Sequence, residues 1–279
     1  MDFLIRFSIT RQYLPTPTAR RRGYPMSPGV RFIVAHDTGN QNTTAAQNVS
    51  YFTRTANPSG GDISSAHFFV DATQIIECIP VFDPASPPEM AWHVRPTEQD
   101  SNRLFGYRAN AAAIGIEYCY GTAINADEAY RRYVWLIAYA CYRFALDPAT
   151  AVVGHFMLDP HRRTDPVTGL AHSRRNYEQL LRDVVAEYAE CSGQAPPAGH
   201  AVSHHEAAGS VRATVRLHIR LGQPSTMAPI CGIAEVGDIL DYVAIARDAY
   251  PVNGNRSWYR NKNGNYFWSG GTAALVPGH

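Results

Sequence analysis

His36, His155 and Asp165 are side chains of the kinds that hold a catalytic zinc ion, which takes three protein ligands and keeps a fourth position open. Each histidine closes a short apolar run, Arg31–Ala35 before His36 and Ala151–Gly154 before His155, and each precedes a loop. Asp165 follows ten residues after His155. Strand ends suit such ligands, because rigid elements can aim side chains at one point and leave an open face. Spacing alone does not decide the matter, since a lone histidine is also an ordinary surface or core residue. Glu117 is a fourth candidate, the only charged residue in the apolar stretch Ala112–Tyr118. A carboxylate inside such a strand is costly unless it is paired with an arginine or kept for a purpose.

The elements that must carry these residues follow from periodicity. Arg31–Ala35, Ala66–Val70, Gln74–Ile79, Ala112–Tyr118 and Ala151–Gly154 are short runs rich in apolar and β-branched residues and predict strands, the second and third forming a hairpin. Helical spacing predicts a helix over 43–53, capped by Asn42 or Thr43, and another over 127–146. A last helix is expected to reach Glu190 from a Ser173 cap, with Tyr177, Leu180, Leu181, Val184 and Tyr188 on one stripe. Residues 82–109, rich in Pro, Asp and Asn, predict a long surface excursion of the kind that often serves function. Strands interleaved with helices give an α/β domain with a mixed central sheet over residues 1–190.

Several short motifs occur in a telling order: Ile33-Val34-Ala35-His36-Asp37-Thr38, Ser65-Ala66-His67-Phe68-Phe69-Val70-Asp71, Ala91-Trp92-His93, Ile114-Gly115-Ile116-Glu117, then Gly154-His155 with Arg163-Thr164-Asp165-Pro166. This order resembles the type 2 N-acetylmuramoyl-L-alanine amidases, relatives of the peptidoglycan recognition proteins, over about residues 30–190. The resemblance implies zinc as cofactor, held by His36, His155 and Asp165, and peptidoglycan as substrate. It implies Glu117 as general base and puts Arg163 where relatives often carry an oxyanion-stabilising lysine. Arginine keeps that charge but not the compact ammonium geometry. Another subset uses a tyrosine in the hairpin, where this chain has Ala66. His67, Trp92 and His93 fall near the family's cleft as substrate contacts, with a structural role for His67 equally open. A non-catalytic peptidoglycan receptor on the same fold and a zinc amidase for another acylated peptide are the alternatives.

Composition narrows the classes further. With 25 Lys and Arg against 24 Asp and Glu, the chain lacks the basic footprint of a nucleic-acid binder. No apolar run approaches the ~20 residues of a membrane span, so no membrane insertion is expected. Five scattered cysteines, Cys78, Cys119, Cys141, Cys191 and Cys231, form no CxxC pair and predict buried thiols rather than a disulfide framework. Met1–Arg6 places an acid where a signal peptide needs a base, so no secretory signal is expected. The implied place of action is the bacterial cell wall, reached by release or export, with the cytoplasm second.

Residues 191–210 change to Ser, Gly, Pro, Ala and His and predict a linker. The histidines there, His200, His204 and His205, are expected at the surface, as are His161 and His172. Beyond it, residues 211–279 show about five short β-like runs and resemble a bacterial SH3-like barrel, with the segment 244–255 longer than that pattern. Trp258, Tyr266 and Trp268 there serve equally well as barrel core or as a ligand platform.

Overall fold

The computed structural model describes residues 2–60, 63–96, 100–193 and 202–275. The chain divides into two compact units, Met1–Gln194 and Ala195–His279.

The first unit is built on a six-stranded mixed sheet. Its strands are β1 (Ile9–Arg11), β2 (Phe32–Asp37), β3 (Phe68–Val70), β4 (Ile75–Glu77), β5 (Ala113–Tyr118) and β6 (Val152–Gly154), in the spatial order β1-β4-β3-β5-β2-β6. Only the β3–β4 hairpin is antiparallel; β3, β5, β2 and β6 run parallel, and β1 runs parallel to β4. All six residues of β2 are buried, as a strand covered on both faces requires.

Helices cover the two faces. Residue parity shows which helix lies where. Register aligns His36 of β2, Glu117 of β5 and Phe69 of β3 in one row. Phe69 packs with Ala45 and Val49 of α1 (Ala45–Arg54), so α1 covers that face on the β3–β4 side. Tyr118, the next residue after Glu117, points the other way and meets Tyr133 of α4 (Ala126–Arg143) at 5.2 Å between ring centroids. The face bearing His36 and Glu117 is therefore capped by α1 over only part of its width.

The remaining helices of this unit are α2 (Asp100–Phe105), α3 (Ala109–Ala112), α5 (His155–Leu158), α6 (Val167–His172) and α7 (Tyr177–Ser192). Capping explains three helix starts and corrects two expectations. Thr44, one residue later than expected, accepts from the Gln47 amide while Gln47 returns the bond, a full capping box. Asn176, not Ser173, caps α7 by accepting from the Gln179 amide, and Asn125 caps α4. Ser173 instead closes α6, its hydroxyl donating to the Leu170 carbonyl. The expected surface excursion over 82–109 is not superficial. Phe82, Ala91, His93 and Val94 are buried, and α2 lies within it. Strand β1 had no sequence signal.

The second unit is an antiparallel seven-stranded sheet: β7 (Ser203–Ala213), β8 (Leu217–Arg220), β9 (Ile230–Ala234), β10 (Ile239–Arg247), β11 (Trp258–Arg260), β12 (Tyr266–Trp268) and β13 (Thr272–Ala274), in the order β13-β7-β10-β11-β12-β8-β9. Two strands exceed the short runs expected, and β7 begins inside the stretch 191–210 taken for linker, as α7 ends inside it. His204 stands on β7 bonded to the Tyr266 hydroxyl at 2.6 Å, while His200 lies outside the described residues. Trp258, Tyr266 and Phe267 are core residues, with Trp268 packed against them. All five cysteines are free, four of them buried. Among the described residues, no helix is long and apolar enough to cross a membrane.

Candidate active site

Three neighbouring parallel strands end at the same edge of the sheet, where an α/β fold gathers its ligands. Strand β2 delivers His36 next to its last residue, β5 delivers Glu117 in register with it, and β6 ends at Gly154, so that His155 opens α5. Asp165 comes from the turn before α6. That turn is tied back by the Phe156 amide, which donates to the Asp165 carbonyl at 3.0 Å.

The side chains converge. His36 Nδ1 lies 2.9 Å and His155 Nδ1 3.0 Å from the same oxygen, Asp165 Oδ2. The potential ligand atoms of His36, His155 and Asp165 all lie within 4.8 Å of one another. Two imidazole nitrogens and one carboxylate oxygen on a shared point are the donor set of an open, three-ligand zinc site. The two imidazole rings stand edge to face, 4.6 Å apart. Among the described residues, His155 Nε2 and Glu117 Oε2 are buried polar atoms without a hydrogen-bond partner, a state that native sites tolerate mainly where an ion, water or substrate completes them. These residues fit a divalent metal.

Backbone anchors keep the ligands in place. The Tyr133 hydroxyl donates to the His36 carbonyl at 3.0 Å, and the Tyr177 hydroxyl accepts from the Gly154 amide at 2.9 Å. Asp37 accepts from the Gly39 amide at 3.0 Å and the Gly169 amide at 2.7 Å, fastening the turn after β2 to α6. A side chain at 169 would drive its Cβ to 2.7 Å from Asp37 Cβ, so glycine is needed for this approach.

Burial sets the charge states. It holds the His36 imidazole down at about 4, with the proximity of His155 adding to the fall. Burial on its own pushes the Asp165 carboxyl up, but the His155 and His36 imidazoles beside it outweigh that, and the net shift is downward. The candidate ligand set thus pairs a carboxylate with a neutral imidazole, a combination that could hold a cation. Glu117 moves the other way. Burial raises it well above the ordinary carboxyl range, Asp165 and Asp37 add to the rise, and Arg163 opposes it.

A cleft of about 610 Å³ opens over this cluster, lined by His36, Glu117, His155, Asp165 and Arg163 and bordered by Thr38, Asn40, Tyr51 and Tyr120. A smaller cavity of about 290 Å³ shares Ser64, His93, Arg162 and Arg163 with it and adds Arg22, Trp92 and Arg95. Among the described residues, no acidic side chain lines that arm. Arg22 stacks its guanidinium over Trp92 at 4.7 Å, and the indole Nε1 of Trp92 is buried without a partner.

Of the residues singled out in the sequence, the structure gathers His36, Glu117, His155, Arg163 and Asp165 on one cleft and puts Trp92 on its arm. His67 does not reach it. Its ring is fully buried, Nε2 donating to the Glu89 carbonyl at 2.9 Å and Nδ1 accepting from the Gly115 amide at 2.9 Å, so no nitrogen is left for substrate. His93 is buried too, its nitrogens facing His36 Nε2 at 3.0 Å and the Ala113 carbonyl at 3.1 Å. The expectation that His67 contacts substrate gives way to placement beneath the site, whereas His93 still lines both the cleft and the smaller cavity. Sequence reasoning missed Arg22 and Arg95, which no motif marks, and also Tyr133 and Tyr177, hidden among helix core positions. Asp37 lay inside a quoted motif without a role.

A family model described as N-acetylmuramoyl-L-alanine amidase matches residues 25–168, a little over half of the chain and inclusive of the whole cluster. Among solved structures, the hydrolase AmiA of Staphylococcus aureus, determined with its ligand, is similar at 21% identity and a TM-score of 0.53, over 69% of this chain and 89% of that one. The catalytic domain of XlyA is 24% identical, with a TM-score of 0.49 over 63% of this chain and 99% of its own. A mutant endolysin from Bacillus subtilis gives 24% identity and a TM-score of 0.49, over 64% of this chain and 99% of that one. No curated protein sequence matches the chain.

Proposed function

The chain belongs to the N-acetylmuramoyl-L-alanine amidase family, and from that premise we propose that it hydrolyses the amide joining the muramoyl lactyl group to L-alanine in peptidoglycan, with zinc as cofactor. One observation carries the reading: His36, His155 and Asp165 converge within 4.8 Å of one another beside the unpartnered Oε2 of Glu117. His36 and His155 would hold the zinc through Nδ1 and Asp165 through Oδ2. When bound, zinc supplies Lewis acidity to the scissile carbonyl and to water. Glu117 accepts the proton that the attacking water gives up and passes it to the departing alanine nitrogen. Its raised affinity for a proton favours taking one up from that water. Arg163, on the rim of the cleft, balances the charge that develops on the carbonyl oxygen.

The arginine arm orients the substrate. The lactyl carboxyl of muramic acid is consumed in the amide, so the negative charge of a glycan–peptide unit lies on the carboxylates of its stem. Arg22, Arg95 and Arg163 would receive them, while the hydroxyl-rich, aromatic border of Thr38, Asn40, Tyr51 and Tyr120 suits the neutral sugar. The second unit is read as an SH3-like wall-binding module that raises the local concentration of enzyme on an insoluble polymer. The place of action is then the cell wall.

Purified peptidoglycan digested by the protein should release stems with free N-terminal L-alanine, identified by mass spectrometry, and a zinc chelator should abolish the release. Binding to peptidoglycan without any such product would replace the enzyme by a receptor on the same fold. Release of a different amine would assign it to another acylated peptide.

A further inference from the structure

We propose that His93 is a positioning residue for the metal site, fixing the proton of His36 on Nε2 so that Nδ1 presents its lone pair to the cation. The inference rests on the zinc reading above. It begins at a main-chain carbonyl. The Ala113 oxygen can only accept, and His93 Nε2 lies 3.1 Å from it, so that nitrogen carries the hydrogen. The other nitrogen of a neutral His93 is then an acceptor. It faces His36 Nε2 at 3.0 Å, and His36 must supply the hydrogen there. His36 Nδ1 is left bare, 2.9 Å from Asp165 Oδ2. A bare nitrogen facing a carboxylate oxygen is a repulsive pair, relieved when a cation stands between them.

The reverse order fails at its far end. A proton on His36 Nδ1 would satisfy Asp165, but it would require His93 to donate from Nδ1 and set its Nε2 lone pair against the Ala113 carbonyl. A second proton on His93 would bury a charge among two other imidazoles, since the His36 and His67 rings lie 5.1 and 5.6 Å from it.

His93 is built in rather than merely packed. The Asn110 side-chain oxygen accepts from the amides of His93 and Val94 at 3.0 and 2.9 Å, and its nitrogen donates to the Val94 carbonyl at 2.7 Å. Its ring lies directly on the backbone of Gly115, where a Cβ would come within 2.7 Å of the ring carbon Cγ. His67 cannot take over, because both of its nitrogens are held by main-chain groups. His155 has no counterpart of this device, its Nε2 being buried without a partner. Only one of the two imidazole ligands is therefore oriented through the strand backbone.

The test uses the full-length protein with ¹⁵N-labelled histidine rings. In the metal-free wild type, the His36 ring should show its hydrogen on Nε2. Zinc affinity, read by competition with a chelator, should fall ~10–100-fold in His93→Phe, the scale for losing the partner of a metal-ligating histidine. His93→Asn, whose amide oxygen can accept where Nδ1 did, should recover most of that loss. A hydrogen found on His36 Nδ1, or a folded His93→Phe that holds zinc as tightly as wild type, overturns the inference. Should His93→Phe fail to fold, the wild-type ring spectrum and the asparagine variant decide it. A wild type that takes up no zinc overturns the function reading, whereas normal zinc uptake with the opposite His36 tautomer overturns this inference alone.

Discussion

His67 should make the catalytic unit acid-sensitive by an amount that its surroundings set. The ring is fully buried with one nitrogen donating and the other accepting, which fixes it as neutral. Burial takes it from an ordinary 6.5 down to about 4. In the unfolded chain the ring gains a proton as pH falls through 6.5; in the folded chain it cannot until about 4. Between those values the unfolded state binds more protons, so stability falls as pH falls and the loss is complete below the folded value. At about 1.4 kcal/mol per pH unit, the full gap is worth about 3 kcal/mol. By pH 4.5 most of it, roughly 2.5 kcal/mol or close to a hundredfold in the unfolding equilibrium, is already lost. Hydrogen exchange of the slow amides of β5, corrected for the intrinsic pH dependence of exchange, reads this opening. His67→Gln keeps a donor and an acceptor and cannot titrate. Its stability should sit below wild type at pH 7.5 and draw level with or overtake it near 4.5. Wild-type and variant curves that run parallel over this range would refute the assignment of the acid sensitivity to His67.

Other outcomes follow from the same geometry. Glu117→Gln should retain zinc by elemental analysis yet lose roughly 10²-fold or more in amide hydrolysis, because a positioned proton acceptor is removed while the ligands stay. Arg22→Ala should raise KM up to about fivefold for fragments with free stem carboxylates, the scale of an exposed ion pair, and leave amidated fragments nearly unaffected. A fragment ending at Gly193, just short of the boundary between the two compact units, should fold, bind zinc and cleave soluble fragments like the full chain. On insoluble walls it should be slower; equal rates there would remove the wall-binding role of the second unit.

What the sequence disclosed depended on whether a signal was local. Runs such as Phe32–Asp37 and Ala113–Tyr118 are apolar on both sides, and their strand character is legible from composition. Helix starts were legible to within a few residues but mis-capped, because side chains able to cap stand close together, Asn42, Thr43 and Thr44 before one helix and Ser173 and Asn176 before another, and only the backbone angle selects among them. β1 exists because it finds β4 as a parallel neighbour, a contact across more than sixty residues that no local pattern announces. The motif Ala91-Trp92-His93 pointed at the cleft but not at the direction of its ring. Whether a histidine faces substrate or a main-chain carbonyl is decided by Gly115 beneath it and Asn110 behind it.

That last point bears on how the site and the fold depend on each other. Gly115 lies two residues before Glu117 on the same strand, so both face the same side of the sheet. Its missing side chain is what lets His93 lie flat on β5, and its amide is what His67 accepts. One strand therefore carries the proposed proton acceptor, the floor under the imidazole bonded to His36, and the Ala113 carbonyl that, on the proposal, orders that imidazole's hydrogens. Any slip of β5 against β2 would move Glu117 out of register with His36 and lift Ala113 from His93 together. In the proposed mechanism, the register of two buried parallel strands thus fixes both the position of the proposed base and the tautomer of a proposed metal ligand, which ties the chemistry of the cleft to the most deeply covered part of the sheet.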